Sequence, residues 1–205
     1  EVNGSLTLGT GATACIHLLP PLLQHLRQQH PLLTVGVTTG NTLDIVRAVE
    51  ENRLDLGLVT LPVQGRSLAV TAVVDEEFVV IHPSHEAGIP AVCTPEELQA
   101  LPLIAFEAGS GTRDLIDRWF RSAGLAVTPV MQLGSIEAIK RMVRAGLGYS
   151  IVPRMAVEQA EDRYGLSVHS LAPSLYRQLA VVMRQDKVIT KGMAEMLRLL
   201  QAVRL

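Results

Sequence analysis

The order of segments constrains this chain most: twice in succession, short apolar runs alternate with amphipathic segments across small polar turns. The first series starts with Gly4 to Thr10, where Ser5-Leu6-Thr7-Leu8-Gly9 alternates as a strand does. A helix follows over Thr13 to Gln29, with Ile16, Leu19, Leu22, Leu23 and Leu26 on one face and a break at Pro20-Pro21. Strand Leu32 to Thr39, helix Asn41 to Glu51 (Leu43, Ile45, Val46 and Val49 inward) and strand Leu54 to Leu61 complete it. Such a β-α-β-α-β order calls for a parallel sheet with right-handed crossovers. With 48% hydrophobic and only 3% aromatic residues, the core is built of Leu, Val, Ile and Ala, as buried parallel strands require.

A β-prone run from Leu68 to His82 reads as broken near Asp75-Glu76-Glu77, and His82-Pro83-Ser84-His85 ends it as a surface loop. The second series has a short helix over Thr94 to Ala100, strand Leu103 to Phe106, helix Thr112 to Ala123, strand Val127 to Leu133 and helix Ser135 to Ala145. Strand Tyr149 to Val152, helix Arg154 to Asp162, strands Leu166 to Leu171 and Arg177 to Arg184, and a closing helix Thr190 to Val203 complete the reading. No linker rich in Pro, Gly or Ser separates the series, so two lobes sharing long strands, with a cleft between, are expected. Internal repetition in the residues themselves is too weak to indicate a duplication.

Four strand-to-helix turns are made of small polar residues: Thr10-Gly11-Ala12-Thr13, Thr39-Gly40-Asn41-Thr42, Gly109-Ser110-Gly111-Thr112-Arg113 and Gly134-Ser135. Helix starts present unpaired N–H groups and partial positive charge, which suits a carboxylate, sulfate or phosphate. Any one such turn is most simply a helix cap. Four of them, at strand ends where open sheets bind ligands, point to a shared small-anion site. The candidate ligand-binding residues are therefore Thr10, Gly11, Ala12, Thr13, Gly40, Asn41, Thr42, Ser110, Gly111, Thr112, Arg113 and Ser135. Arg113 fits an anionic ligand and a nearby carboxylate equally well.

Other chemistries find little support. The sequence has no GxxxxGK[ST] loop, no third glycine after Gly109-Ser110-Gly111 at dinucleotide spacing and no G-x-S-x-G elbow. Glu76-Glu77 and Glu96-Glu97 read as solvated acids. Pro83 argues against a metal-binding pair at His82 and His85, and no metal or cofactor is expected. Cys15 and Cys93 lack metal spacing and read as buried thiols of a reducing compartment. A net charge of −2 provides no basic footprint for nucleic acid, and no apolar run reaches membrane-span length. The chain opens at Glu1-Val2-Asn3-Gly4 with no initiator Met or signal peptide, and reads as a fragment or a processed chain.

In this order and spacing the motifs resemble the effector-binding domain of LysR-type transcriptional regulators. The resemblance covers essentially the whole chain. It rests on Gly4-Ser5-Leu6-Thr7-Leu8-Gly9 with Leu18-Leu19-Pro20, on Asn52-Arg53-Leu54-Asp55-Leu56-Gly57-Leu58, and on Val143-Arg144-Ala145-Gly146-Leu147-Gly148-Tyr149-Ser150-Ile151-Val152-Pro153. It implies an α/β fold like the type II periplasmic binding proteins, with two Rossmann-like lobes and a central cleft. Lobe I is then residues 1–79 and 179–205, and lobe II is residues 80–178. It also implies a small-molecule effector in the cleft, a homodimer or homotetramer, and a cytoplasmic protein that meets DNA only through an N-terminal helix-turn-helix domain, absent from these residues. Thr10-Gly11-Ala12-Thr13 matches the family's first inducer loop, and Ser110-Gly111-Thr112-Arg113 its second-lobe loop. No catalysis is expected. An extracytoplasmic solute-binding protein for a small anion would use the same fold and is the alternative reading.

Overall fold

A computed structural model describes residues 2–204 and divides the chain into two units, Glu1–Glu76 with Arg177–Leu205, and Glu77–Tyr176. The elements in chain order are β1 (Gly4–Thr10), α1 (Ala12–His17), α2 (Leu19–Gln29), β2 (Leu33–Thr39), α3 (Thr42–Glu50), β3 (Leu56–Thr60), β4 (Leu68–Pro83), β5 (Val92–Cys93) and α4 (Pro95–Leu98). Then come β6 (Ile104–Phe106), α5 (Gly111–Ser122), β7 (Met131–Leu133), α6 (Ile136–Arg144), β8 (Ser150–Pro153), α7 (Ala160–Arg163), β9 (Leu166–Leu171), β10 (Tyr176–Arg184) and α8 (Lys191–Gln201). The chain passes between the units along β4 and again at the start of β10.

In the first unit β1 lies between β2 and β3, parallel to both, and β10 runs antiparallel to β3 with β4 beyond it. Leu6 and Leu8 of β1 are fully buried, as the alternation requires. Asp55 ties β1 to the start of β3: its carboxylate accepts from the Thr7 N–H (2.8 Å) and hydroxyl (2.9 Å). Its other oxygen pairs with Lys187 at 2.7 Å. Gly57 is small of necessity, because a Cβ there would lie 2.9 Å from methyls of both Ile45 and Val182. Two residues of the resembling motif are thus explained by packing and strand tethering.

The second unit repeats the arrangement. β6 pairs in parallel with β7, and a parallel bridge from Leu103 to Tyr149 places the β8 segment on its other side. The second half of β4 then runs antiparallel to β8 and β9, with β5 beside β9. Gly148 lies against the Pro102 carbonyl oxygen, and the Ser150 hydroxyl donates to the Ile104 carbonyl at 2.6 Å. One apolar cluster, including Phe78, Ile104, Ile116, Phe120, Ile139 and Ile151, fills this unit. Lys140 of α6, with no exposed surface, donates to the Ala156 carbonyl (2.8 Å) and pairs with Glu137 (3.2 Å) and Asp162 (3.4 Å).

Several expectations need correction. β4 is unbroken through Asp75-Glu76-Glu77. Glu76, only 1% exposed, is not solvated but paired with Arg177, and Glu77 pairs with Arg154 at 2.6 Å. A charged residue stays in a strand when a cation from a distant segment meets it. Arg154 to Asp162 is not one helix but a 3-10 turn, Arg154–Val157, followed by α7. The first long helix breaks at Leu18, so that Pro20 and Pro21 fall in the first turn of α2, where a missing N–H costs nothing. Leu43 is 81% exposed rather than inward. His82 is a buried residue of β4 rather than part of a surface loop, and Cys15 is half-buried rather than buried. Ile116, Trp119 and Phe120 of α5 are all buried in the apolar cluster of the second unit.

Candidate ligand-binding turns

Within each unit the strand order is second, first, third, so that the second and third strands flank the first on opposite sides. That is a topological switch point, and the crevice it opens lies outside the carboxyl end of the first strand. In the first unit this end is Thr10, and in the second it is Phe106. Two of the four candidate turns therefore begin at the switch point of their own unit. The other two sit directly beside them. The Gly40 N–H donates to the Thr10 carbonyl at 3.0 Å, and the Glu107 N–H donates to the Leu133 carbonyl at 3.1 Å.

In the first unit the α1 start is bare. Gly11 is its cap residue and has no side chain to cap with, and no acid stands in the first turn. Gly11 and Ala12 are exposed and Thr13 is half-buried. Thr10 departs from its expected role: it is fully buried and its hydroxyl donates to the Leu58 carbonyl at 2.9 Å, which tethers β1 to β3. Asn41 caps α3, accepting from the Asp44 N–H at 2.8 Å, while its amide donates to the Asp44 carboxylate at 2.8 Å. Gly40 and Thr42 are half-buried beside it. Asp44 is a carboxylate already at that helix start, where an anion would otherwise be favoured.

In the second unit the turns are furnished with side chains. Gly109 has φ +86°, a conformation that suits glycine, and lets the chain reverse into α5. Ser110 caps α5, accepting from the Arg113 N–H at 3.1 Å and donating to the Glu107 carbonyl at 3.0 Å. Gly111 is exposed and Thr112 half-buried. Arg113, its side chain only 12% exposed, is held by Asp117 (3.0 Å), the Phe106 carbonyl (3.1 Å) and the Gln132 amide oxygen (2.9 Å). Of the two readings of Arg113, the structure gives it the carboxylate. Ser135 caps α6, accepting from the Ala138 N–H at 3.4 Å.

Three acids at these turns escaped the sequence reading. Asp114 and Glu137 stand in the first turns of α5 and α6. The Glu107 carboxylate lies over Gly134, within 3.1 Å of where a Cβ would be. The i,i+4 spacing of Arg113 and Asp117 was a readable signal for that pair. Nothing in the sequence placed Glu107 against Gly134, because the contact joins two strands.

Comparison with known proteins accords with this layout. A family model described as the LysR substrate binding domain matches residues 1–204. The uncharacterized HTH-type transcriptional regulator YeiE of Escherichia coli K12 is 29% identical over 198 residues, covering 96% of this chain and 68% of that protein. The CcmR regulatory domain of Synechocystis PCC6803, solved in complex with 2-PG, superposes with a TM-score of 0.85 at 26% identity, covering 98% of this chain and 97% of that one. The BenM effector binding domain, solved with its effector benzoate, gives a TM-score of 0.84 at 18% identity, with 98% and 92% covered. Among the described residues no helix is long and apolar enough to cross a membrane.

Proposed function

The chain belongs to the LysR substrate-binding family, the effector-binding domain of LysR-type transcriptional regulators, and from that premise we propose that it senses a small anion at the turns that follow the first strands of its units. The lobes of this proposal are residues 1–79 with 179–205, and residues 80–178. The N–H groups offered to the anion are those of Gly11, Ala12 and Thr13 in the first unit and of Gly111 and Thr112 in the second. Gly40, Asn41, Thr42 and Ser135 flank these groups. Thr10 and Arg113 serve the site by holding their turns, since their polar groups already have protein partners. The observation that supports this reading is the placement of both first-strand turns at the switch point of their units.

A ligand that binds one lobe arrangement better than another shifts the population toward it. Coupling to DNA then needs a second site, the helix-turn-helix domain of the whole regulator. The chain spans 68% of the length of its YeiE relative and 64% of that of a second regulator, from Bacillus subtilis. The whole protein is read as a cytoplasmic homodimer or homotetramer that binds DNA and performs no catalysis. Exposed Ile16, Leu32 and Val37 in the first unit supply apolar surface for assembly. A solute-binding role has less support, because the sequence relatives are transcriptional regulators.

A thermal-shift screen of residues 1–205 against small organic and inorganic anions tests the proposal. A ligand at a hundred times its Kd adds about 2.7 kcal/mol of stability. At this chain length that raises Tm by roughly 5–10 °C. Stabilisation by neutral or cationic compounds alone would overturn the anion reading.

A further inference from the structure

β4 and β9 pair antiparallel, with Val80 opposite His169 and His82 opposite Ser167. His82 and His169 are therefore diagonal neighbours on one face of the sheet. Their Nε2 atoms lie 2.6 Å apart and their rings stack with centroids 4.7 Å apart at 28°. At that distance one nitrogen carries the hydrogen and the other presents its lone pair. Protonating an outer nitrogen keeps the bridge and makes it charge-assisted. Protonating both rings sets two N–H groups head to head and two positive charges in contact.

His82 is the ring that resists a charge. It is 3% exposed, and its Nδ1 is buried without a partner. Burial, and next the neighbouring His169, hold its titration below the ordinary histidine range, against smaller opposing contributions from the Pro83 backbone and Glu86. Among the described residues, the titratable groups acting on His82 are thus His169 from β9 and Glu86 from the loop after β4.

We propose that the His82–His169 bridge is a proton-operated latch on the β4–β9 seam, closed while the pair carries at most one extra proton and opened by the second. It is independent of the effector reading. Because the folded protein disfavours charged His82, the latch contributes fully above about pH 6.5, the value for a free histidine, and is lost as the pH falls below it.

Long-range 1H–15N NMR of the imidazoles of the 205-residue chain between pH 8 and 5 tests this directly. The expected result is two separated titrations with His82 the last to charge. Two rings titrating together at the ordinary histidine value would overturn the proposal. Thermal unfolding at pH 7.5 and 5.5 supplies a second readout. His169→Gln keeps a hydrogen-bonding partner for His82 but removes the second charge, so the wild type should lose about 2–4 °C more of Tm on acidification than this variant. An equal loss in both would overturn the latch. Should His169→Gln not fold, His82→Gln takes its place in the same comparison, and the wild-type NMR result stands on its own.

Discussion

The turn after β1 and the turn after β6 occupy the same place in two equivalent strand orders, yet they are built in opposite ways. The first has a glycine at the cap position and no acid in its first turn. The second has a serine cap bonded on both sides, an arginine held by Asp117, and acids at positions 107 and 114. Topology decides where a ligand can approach a sheet. Side chains then decide which helix N–H groups still face it. On this comparison the α1 start of the first unit is the barer, and the α5 start of the second already has carboxylates beside it.

The seams behind the two turns differ in the same sense, and the largest expected effect lies there. In the β6–β8 seam, a Cβ on Gly148 would overlap the Pro102 carbonyl oxygen, which is backbone. In the first unit, a Cβ on Gly57 would meet methyl groups of Ile45 and Val182, which can shift. Gly148→Ala should therefore cost about 3 kcal/mol or more and Gly57→Ala about 1–3 kcal/mol, read from urea unfolding midpoints. The reverse ranking would break the account of the second seam.

A smaller effect separates the seams by charge. The first is tied by the Asp55 carboxylate, the second by the neutral Ser150 hydroxyl. Burial pushes Asp55 up, but its bonds to Lys187 and Thr7 outweigh that and hold it below the usual aspartate value. A carboxyl lowered by folding stabilises above its unfolded value of about 3.9, and the contribution is lost as pH falls through the folded one. Asp55→Asn should cost about 2 kcal/mol near pH 7, and its deficit against wild type should shrink as pH falls from 5 to 3. A deficit constant over that range would mean the carboxylate charge is not what holds the seam.

The smallest effects concern the turns themselves. Ser110→Ala should cost about 1 kcal/mol, because a working cap is lost. Gly11→Asp should gain a few tenths of a kcal/mol, because a cap and a favourable charge are added to a bare start. Thermal unfolding of the two variants measures both, and a destabilising Gly11→Asp would show that the α1 start is not open as described.

Much of this arrangement was legible because it is local. The alternation around Leu6 and Leu8, the caps at Asn41, Ser110 and Ser135, and the Val143 to Pro153 motif each depend on residues a few positions apart. What escaped depends on distant partners. Arg177 keeps Glu76 in β4 from about a hundred positions away. His169 meets His82 only because β9 pairs with β4. The switch points needed the strand order, which periodicity does not contain. Leu43 fits the apolar period of α3, but it falls in the first turn, and the buried residues of the helix begin only at Ile45.

The central claim is the proposal that a small anion meets the start of α5 in the second unit. Once the anion screen yields a stabilising compound, calorimetric titration of that compound into wild type and Thr112→Asp tests the claim most directly. A carboxylate at the start of α5 is tolerated by the helix and repels an anion. Thr112→Asp should remain folded and bind the compound at least about tenfold more weakly, a difference of roughly 1.4 kcal/mol. Equal affinity in the two proteins would contradict the account and place the anion away from Gly111 and Thr112.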